Sequence, residues 1–256
     1  MTVLADPVEE TRRIVAAASA AGLPLRAMGG VAVALLAPTV RRLRPARTYH
    51  DIDLVTAGGR GAQVGALFVS LGYAPVARFN ALNGAERMLF HDPTGRRVDV
   101  FVDTVRMCHA LRLGDRLDRH PLTLAPADVL LSKLQIIERT ARDEQDMLAL
   151  LVDVALGDDD AVISLPRLRA VCATDWGWWR TVDDSLASLV TAWERIRDGG
   201  DAPADVGLEV GALALALDRA TAVRADLASA PHSFGWRVRA AIGPRWRWYD
   251  LPEEVR

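Results

Sequence analysis

The feature that most constrains the fold is a short run in which two carboxylates alternate with apolar residues, Asp51-Ile52-Asp53-Leu54-Val55. This alternation predicts a β-strand, in which residues i and i+2 point to the same face. Asp51 and Asp53 then project side by side, while Ile52 and Leu54 face a core. Two carboxylates this close repel each other, and one takes up a proton unless a cation lies between them. A divalent metal is the usual cation for an all-oxygen site.

The bulk composition indicates a globular chain that can bury a substantial core. The chain has 256 residues, 50% of them hydrophobic, and a formal net charge of −2. A balance this close to neutral does not mark a nucleic-acid or membrane binder as a whole. The two cysteines are far apart and show no C-x-x-C spacing, so neither a disulfide framework nor a structural zinc is indicated, and a reducing compartment is the simplest interpretation. Without a signal peptide or an apolar run that spans a bilayer, we expect a cytoplasmic protein with no membrane partner.

A third acid lies in a second strand-like run downstream. The segments 86–91 and 97–102 flank Asp92-Pro93-Thr94-Gly95, a strong turn signal, so they are expected to form an antiparallel hairpin. Asp99 lies within its second strand, between two valines. Because an unpaired charge is costly to bury, an acid in this setting needs a partner. A metal shared by Asp51, Asp53 and Asp99 explains all three positions.

A glycine pair precedes the acidic strand. Gly29-Gly30 follows the apolar segment 25–28 and leads into a helical pattern over 31–36. A strand, a glycine pair and a helix in this order let backbone N–H groups approach phosphates, helped by the helix N-terminus. The sequence therefore predicts a nucleotide phosphate site beside the acids.

The pattern of elements changes near residue 125. Strands and helices mix before it, and only helices follow it, so we predict a small mixed α/β sheet with flanking helices over 1–124 and a helical domain over 125–256. Helices are predicted over 7–20, 31–36, 61–71, 126–139, 142–156, 167–173, 178–197 and 206–227. Strands are predicted over 25–28, 51–56, 74–79, 86–91, 97–102 and 107–113.

The three motifs in order resemble the nucleotidyltransferase superfamily of the DNA polymerase β type. The motifs are Met28-Gly29-Gly30, Asp51-Ile52-Asp53 and Val98-Asp99-Val100. Within this superfamily the chain is most similar to the AbiEii-type toxin and antibiotic nucleotidyltransferase branches, and the resemblance extends over about residues 25–150. The spacer before Asp51 is longer than usual because it contains the arginine-rich segment 41–47.

The resemblance implies a role for each motif residue. Asp51 and Asp53 would bind both metal ions, and Asp99 would complete the catalytic metal site and help activate the acceptor hydroxyl. Gly29-Gly30 would hold the nucleotide phosphates, and Lys133 could reach them as a point charge. The expected cofactor is Mg²⁺ or Mn²⁺, and the expected substrate is an NTP.

The implied reaction transfers a nucleoside monophosphate from an NTP to an acceptor hydroxyl. One acceptor is a tRNA or other RNA end, as in toxin–antitoxin systems, with an antitoxin protein as a possible partner. The other is an aminoglycoside-like or lincosamide-like antibiotic. Two further alternatives stay open: a non-catalytic nucleotide-binding module that keeps the sheet, and an interaction protein whose helical half is the working part.

Several other residues have a functional and a structural interpretation. Asp103 rivals Asp99 if the strand continues, but its position is more typical of a strand end. His50 either orients a carboxylate or is half-buried at a strand start. The run Arg41–Arg47 either contacts RNA phosphates or is a solvated loop. The segment 234–249, rich in tryptophan and arginine, either stacks bases or docks on the core.

Overall fold

The computed structural model describes residues 3–199, 207–208 and 210–251. The chain divides into two compact units, which we call the sheet unit and the helical unit. The sheet unit comprises Met1–Leu36, Thr48–Val105 and Leu111–Ala125, and the helical unit comprises Ala37–Arg47, Arg106–Ala110 and Pro126–Arg256. The two units therefore alternate along the chain, and the division into independent domains at residue 125 stays a prediction.

Helices and short strands alternate in the first part of the chain. The helices are α1 Pro7–Ala20, α2 Gly29–Leu36, α3 Gly61–Ser70 and α4 Ala77–Asn83. The strands are β1 Leu25–Met28, β2 Asp51–Thr56, β3 Ala74–Pro75, β4 Arg87–His91, β5 Arg97–Val102, β6 Thr104–Arg106 and β7 Ala110–Arg112. The predictions for α1, β1, β2 and β5 are confirmed to the residue.

Five strands form a mixed sheet in the order β1-β2-β5-β4-β3. The pair β2 and β5 is parallel, and the other neighbouring pairs are antiparallel. Apolar side chains of the sheet and its helices form a fully buried core, in which the rings of Phe68 and Phe90 stack at 4.3 Å. Ile52 and Leu54 are buried in it, as the alternation along β2 predicts. The small mixed α/β sheet with flanking helices is therefore confirmed.

Local signals explain where the first helix begins and ends. The Asp6 carboxylate accepts hydrogen bonds from the Val8 and Glu9 N–H groups at 2.7 and 3.1 Å, and a proline stands at the first helical position. Both features favour a helix start at this point. Gly22, with a φ of 67°, ends the helix in the left-handed conformation that glycine adopts readily.

The remainder of the described chain is mostly helical. Its helices are α5 Pro126–Leu134, α6 Ala141–Asp153, α7 Leu165–Cys172, α8 Trp176–Arg197, α9 Val210–Ser229 and α10 Phe234–Ile242. Two short strands, β8 Leu156–Gly157 and β9 Ile163–Ser164, pair in parallel. Helix α9 packs against α6, α7 and α8. The helical part predicted after the sheet is confirmed, and no helix of the described residues is long and apolar enough to cross a membrane.

Several predicted elements differ from the structure, among them the helix predicted over 142–156, which ends at Asp153 before β8 begins at Leu156. The strand predicted over 74–79 is wrong, because β3 has only two residues and α4 follows it. The Asn80 amide donates to the Leu89 carbonyl oxygen and accepts from the Leu89 N–H, and these two hydrogen bonds hold α4 against β4. The helix predicted over 126–139 ends at Leu134, and Thr140 caps a new helix that begins at Ala141. The strand predicted over 107–113 is reduced to β7. Part of the helix predicted over 206–227 lies outside the described residues.

Candidate functional site

The acidic residues meet on one face of the sheet, because the strands that carry them are neighbours. In the parallel pair of β2 and β5, Asp53 lies opposite Asp99, and Asp51 lies opposite Arg97. In the antiparallel pair of β1 and β2, Met28 lies opposite Asp53. Residues opposite each other in a ladder project to the same face of a sheet. The structure therefore brings the side chains of Asp51, Asp53 and Asp99 to one face.

The glycine pair adjoins Asp53 because Met28 ends the strand next to it. Gly29 and Gly30 open α2 directly after that strand. Gly29 has a φ of 65°, and a Cβ placed on it would overlap the Asp53 carboxylate. Both facts require glycine at this position, since a side chain would meet backbone strain and a steric conflict at once. The start of α2 thus lies directly beside the Asp53 carboxylate.

Asp99 is fully buried and is paired with two arginines. Arg87 donates from Nε to Asp99 Oδ1 at 2.7 Å, and Arg97 Nε lies 2.9 Å from Oδ2. Burial raises the pKa of Asp99 above its ordinary value, and this effect outweighs the lowering by the two guanidinium groups. Arg97 Nη2 also lies 3.6 Å from Asp51 Oδ2, so this arginine links the two acids.

The residue types on this face fit a divalent cation. Asp51, Asp53 and Asp99 offer only carboxylate oxygens, the ligands that Mg²⁺ and Mn²⁺ prefer. Asp99 Oδ2 is buried and has no hydrogen-bond donor among the described residues, although the Arg97 guanidinium is near it. As oriented, however, no three acidic, histidine or cysteine side chains of the described residues form a group that could hold a metal. A metal held by all three carboxylates would therefore need at least one of these side chains to reorient.

Sequence reasoning missed Arg87 and Arg97, although both had a signal. Arg97 lies two residues before Asp99 in the same strand, and residues at this spacing share a face. Arg87 lies in the other strand of the hairpin, within reach of Asp99. A buried carboxylate needs a compensating charge, and these two arginines are cationic residues close to Asp99 in the hairpin.

Lys133 lies in the helical unit, in a buried cluster of charges. Its Nζ lies 2.9 Å from Asp146 Oδ2 and 3.1 Å from Asp143 Oδ1. Burial alone would lower the pKa of Lys133, but the two carboxylates outweigh burial and raise it. Arg47 donates to both oxygens of Asp146 at 3.0 Å. The contacts of Lys133 are therefore structural, and its role in binding phosphates stays a prediction.

Asp103 ends the strand that carries Asp99, as its position suggested. It has a φ of 56°, and its carboxylate accepts a hydrogen bond from the Gly58 N–H at 2.8 Å. Its backbone oxygen accepts from Leu113 and Gly114, which ties two loops together. His50 is exposed, and its ring lies 3.3 Å from the Thr48 hydroxyl.

The arginine-rich segment 41–47 and the tail each contain exposed residues, and part of the tail docks on a helix. Arg41, Arg42 and Arg44 are exposed. In the tail, the Trp248 indole N–H donates to the Thr181 hydroxyl at 3.1 Å, so this part docks on α8. Trp246 is 68% exposed and is available for contact with a partner.

Neither cysteine has the properties of a nucleophile. Cys108 and Cys172 are both free and buried. Burial raises the pKa of the Cys172 thiol to about 12, and a thiol that stays protonated is not nucleophilic.

No family model matches the chain, and no curated protein matches it. Among the solved structures similar to it are three whose matches extend over half of this chain or more. The crystal structure of ANT(2'')-Ia in complex with adenylyl-2''-tobramycin shares 19% identity over 50% of this chain and 74% of that chain, with a TM-score of 0.32. The solution structure of the antibiotic-resistance factor ANT(2'')-Ia shares 16% identity over 75% and 95%, with a TM-score of 0.38.

The third structure is an antigenic nucleotidyltransferase-like protein from Paracoccidioides brasiliensis. It shares 15% identity with this chain over 75% of this chain and 90% of its own, with a TM-score of 0.42. At identities below 20% and TM-scores below 0.5, the likeness carries no argument about the activity, acceptor or partner of this chain.

Proposed function

We propose that the chain is a metal-dependent nucleotidyltransferase that moves a nucleoside monophosphate from an NTP to an acceptor hydroxyl. The observation that carries this proposal is the position of Asp53. It lies in register with Asp99 on one side and against the backbone of Gly29 on the other. A pair of carboxylates next to a glycine-led helix start combines metal ligands with phosphate-binding N–H groups.

Asp51, Asp53 and Asp99 would hold Mg²⁺ or Mn²⁺ in this proposal. When bound, the cation neutralises the triphosphate and lowers the cost of deprotonating the acceptor hydroxyl. Arg97 lies near both Asp51 and Asp99, so its guanidinium would have to move for these two carboxylates to hold a cation. A guanidinium released at this position can bind phosphate oxygens.

The chain's own groups bind and orient the reactants. Backbone N–H groups of Gly29 and Gly30 at the start of α2 would bind the triphosphate. The acceptor hydroxyl oxygen attacks the α-phosphorus, the bond to the bridging oxygen breaks, and pyrophosphate leaves. Asp99 would receive the hydroxyl proton as the acceptor oxygen attacks.

The acceptor is either an RNA end, such as that of tRNA, or a small molecule such as an aminoglycoside-like or lincosamide-like antibiotic. The exposed arginines of the segment 41–47 favour an RNA, because guanidinium groups bind phosphates. With an RNA acceptor, the chain fits a toxin of the AbiEii type with an antitoxin protein as partner.

A second candidate is a nucleotide-binding module without catalysis. The ion pairs of Asp99 with Arg87 and Arg97 favour it, because they neutralise the buried carboxylate without a metal. The two candidates differ in one property: only the enzyme transfers the nucleotide to a hydroxyl.

Transfer of label decides between them. The protein is incubated with each α-labelled NTP, Mg²⁺ or Mn²⁺, and either total tRNA or a panel of aminoglycosides and lincosamides. The variant is Asp53→Asn, which keeps the shape of the side chain. The matched control is Asp118→Asn, whose acid is 78% exposed. We expect label in one acceptor class, lowered about a hundredfold or more by Asp53→Asn and unchanged in the control.

Two outcomes contradict the enzyme proposal. Transfer that survives Asp53→Asn overturns the assigned mechanism. NTP binding without transfer to any acceptor supports the non-catalytic module instead. Comparison of the RNA and antibiotic arms identifies the acceptor class.

A further inference from the structure

The helical unit contains a cavity of about 470 Å³ that the proposed reaction does not use. This volume lies within the range of small-molecule sites, about 300–1,000 Å³. Its walls come from the segment before β7, the start of α8, α10 and the tail. The lining includes Cys108, Asp175, Arg239, Arg247, Trp248 and Asp250.

Two arginines give the cavity its cationic side. The Arg239 guanidinium donates to the Gly243 and Trp246 carbonyl oxygens at 2.6 Å each and lies 4.7 Å from the Trp176 ring centroid. These contacts fix its position before any ligand arrives. Arg247 lies 4.8 Å from the Tyr249 ring centroid and has no carboxylate partner among the described residues. Its charge is therefore available to an anion.

The cavity is also lined by aromatic and acidic residues. Trp248 and Tyr249 line the cavity, and the Trp248 indole is held by its hydrogen bond to Thr181. The Asp250 N–H donates to the Cys108 carbonyl oxygen at 3.0 Å, which fixes the tail as a wall of the cavity. Asp175 and Asp250 also line the cavity, and Asp175 Oδ1 already accepts from the Gly177 and Trp178 N–H groups at 2.7 and 3.2 Å. Aromatic rings bind planar groups by stacking, and carboxylates accept hydrogen bonds from amino groups.

We propose that this cavity is a second nucleotide site, which takes a nucleoside monophosphate or the terminal nucleotide of a single-stranded RNA. A nucleotide combines the three features that the walls select: a phosphate for Arg239 and Arg247, a planar base for Trp248 and Tyr249, and base N–H groups for the carboxylates. The proposal does not rest on the proposed function, since all of its residues lie in the helical unit and none is a ligand of the metal.

Equilibrium binding in EDTA tests the site without metal-dependent binding elsewhere. The full-length protein is titrated with AMP, CMP, GMP and UMP, with inorganic phosphate, and with a short single-stranded RNA. The variant is Arg247→Ala, and the matched control is Arg245→Ala, an exposed arginine nearby that does not line the cavity. Asp53→Ala serves as a control for the acidic site, and thermal unfolding verifies that each variant folds.

We expect at least one mononucleotide or the RNA to bind, and more tightly than inorganic phosphate. Arg247→Ala should weaken this binding about tenfold, while Arg245→Ala and Asp53→Ala leave it unchanged within about twofold. Binding of mononucleotides identifies a free nucleotide as the ligand, and binding of RNA alone identifies an RNA terminus. No binding of either probe, or equal losses in the two arginine variants, would overturn the proposal. Loss of label transfer with intact binding here would count only against the proposed function.

Discussion

The close approach of Gly29 to Asp53 predicts a specific loss of stability in Gly29→Ala. Alanine at a φ of 65° costs about 1–2 kcal/mol, because its Cβ crowds the backbone in the left-handed region. The Cβ would also overlap the Asp53 carboxylate. Overpacking of this kind costs about 1–3 kcal/mol further. We therefore expect Gly29→Ala to lower the free energy of unfolding by about 2–5 kcal/mol.

A matched control separates the two contributions. Gly22 has nearly the same conformation, with a φ of 67°, but a Cβ on it meets nothing within 4 Å. Gly22→Ala should therefore cost only the backbone strain, about 1–2 kcal/mol. The difference between the two variants measures the conflict between Gly29 and Asp53.

A double-mutant cycle tests the assigned partner directly. Urea unfolding is measured for Gly29→Ala, Asp53→Ala and the double variant. Removal of the carboxylate should relieve the overlap, so Gly29→Ala in the Asp53→Ala background should cost no more than Gly22→Ala. A coupling free energy of about 1–3 kcal/mol is expected for residues in contact. The reasoning is refuted if Gly29→Ala costs the same with and without Asp53, or the same as Gly22→Ala.

Three further perturbations test charged side chains within the sheet unit or within the helical unit. Lys133→Met should lower the free energy of unfolding by about 3 kcal/mol, because it leaves the buried Asp146 carboxylate with one cation fewer; a loss below about 1 kcal/mol in urea unfolding contradicts this. Asp103→Ala should cost about 1–2 kcal/mol and Asp103→Asn nearly nothing, because asparagine tolerates a positive φ and still offers an oxygen to the Gly58 N–H. The pKa of Asp99 is higher in the folded protein than its ordinary value of 3.8, so protonation of this carboxyl stabilises the folded state. This stabilisation is complete at a pH below 3.8 and is lost as the pH rises through the folded-state pKa. The stability of the wild type relative to Asp99→Asn should therefore fall as the pH rises above 3.8, and a constant or rising difference contradicts the raised pKa.

Sequence patterns were sufficient for the elements that carry the acids. Alternation of acidic and apolar residues over 51–54 and a turn signal before Arg97–Val102 predicted both strands, because both are local patterns. The parallel pairing that aligns Asp53 with Asp99 lies beyond local patterns, since it depends on which strands become neighbours in the sheet. The helix Ala77–Asn83 was missed for a similar reason: the Asn80 contacts with Leu89 that hold it come from another strand.

The ion-pair partners of buried charged residues were the feature that the sequence predicted least well. The sequence predicted that Asp99 needs a compensating charge and assigned a metal, whereas the structure pairs it with Arg87 and Arg97. Lys133 was assigned to phosphates from a family resemblance, and its buried contacts with Asp146 and Asp143 arise from helix packing, which spacing along the chain does not reveal.

Binding of Mn²⁺ tests the central claim, that the acids on β2 and β5 form a metal site, without knowledge of the acceptor. The electron paramagnetic resonance signal of free Mn²⁺ is followed during titration of the wild type, Asp53→Asn and the exposed control Asp118→Asn, each with and without an NTP. We expect the wild type and the control to bind Mn²⁺ equally, and Asp53→Asn to bind it at least about tenfold more weakly. Equal binding by Asp53→Asn and the wild type, or no binding by the wild type even with an NTP, would contradict the account.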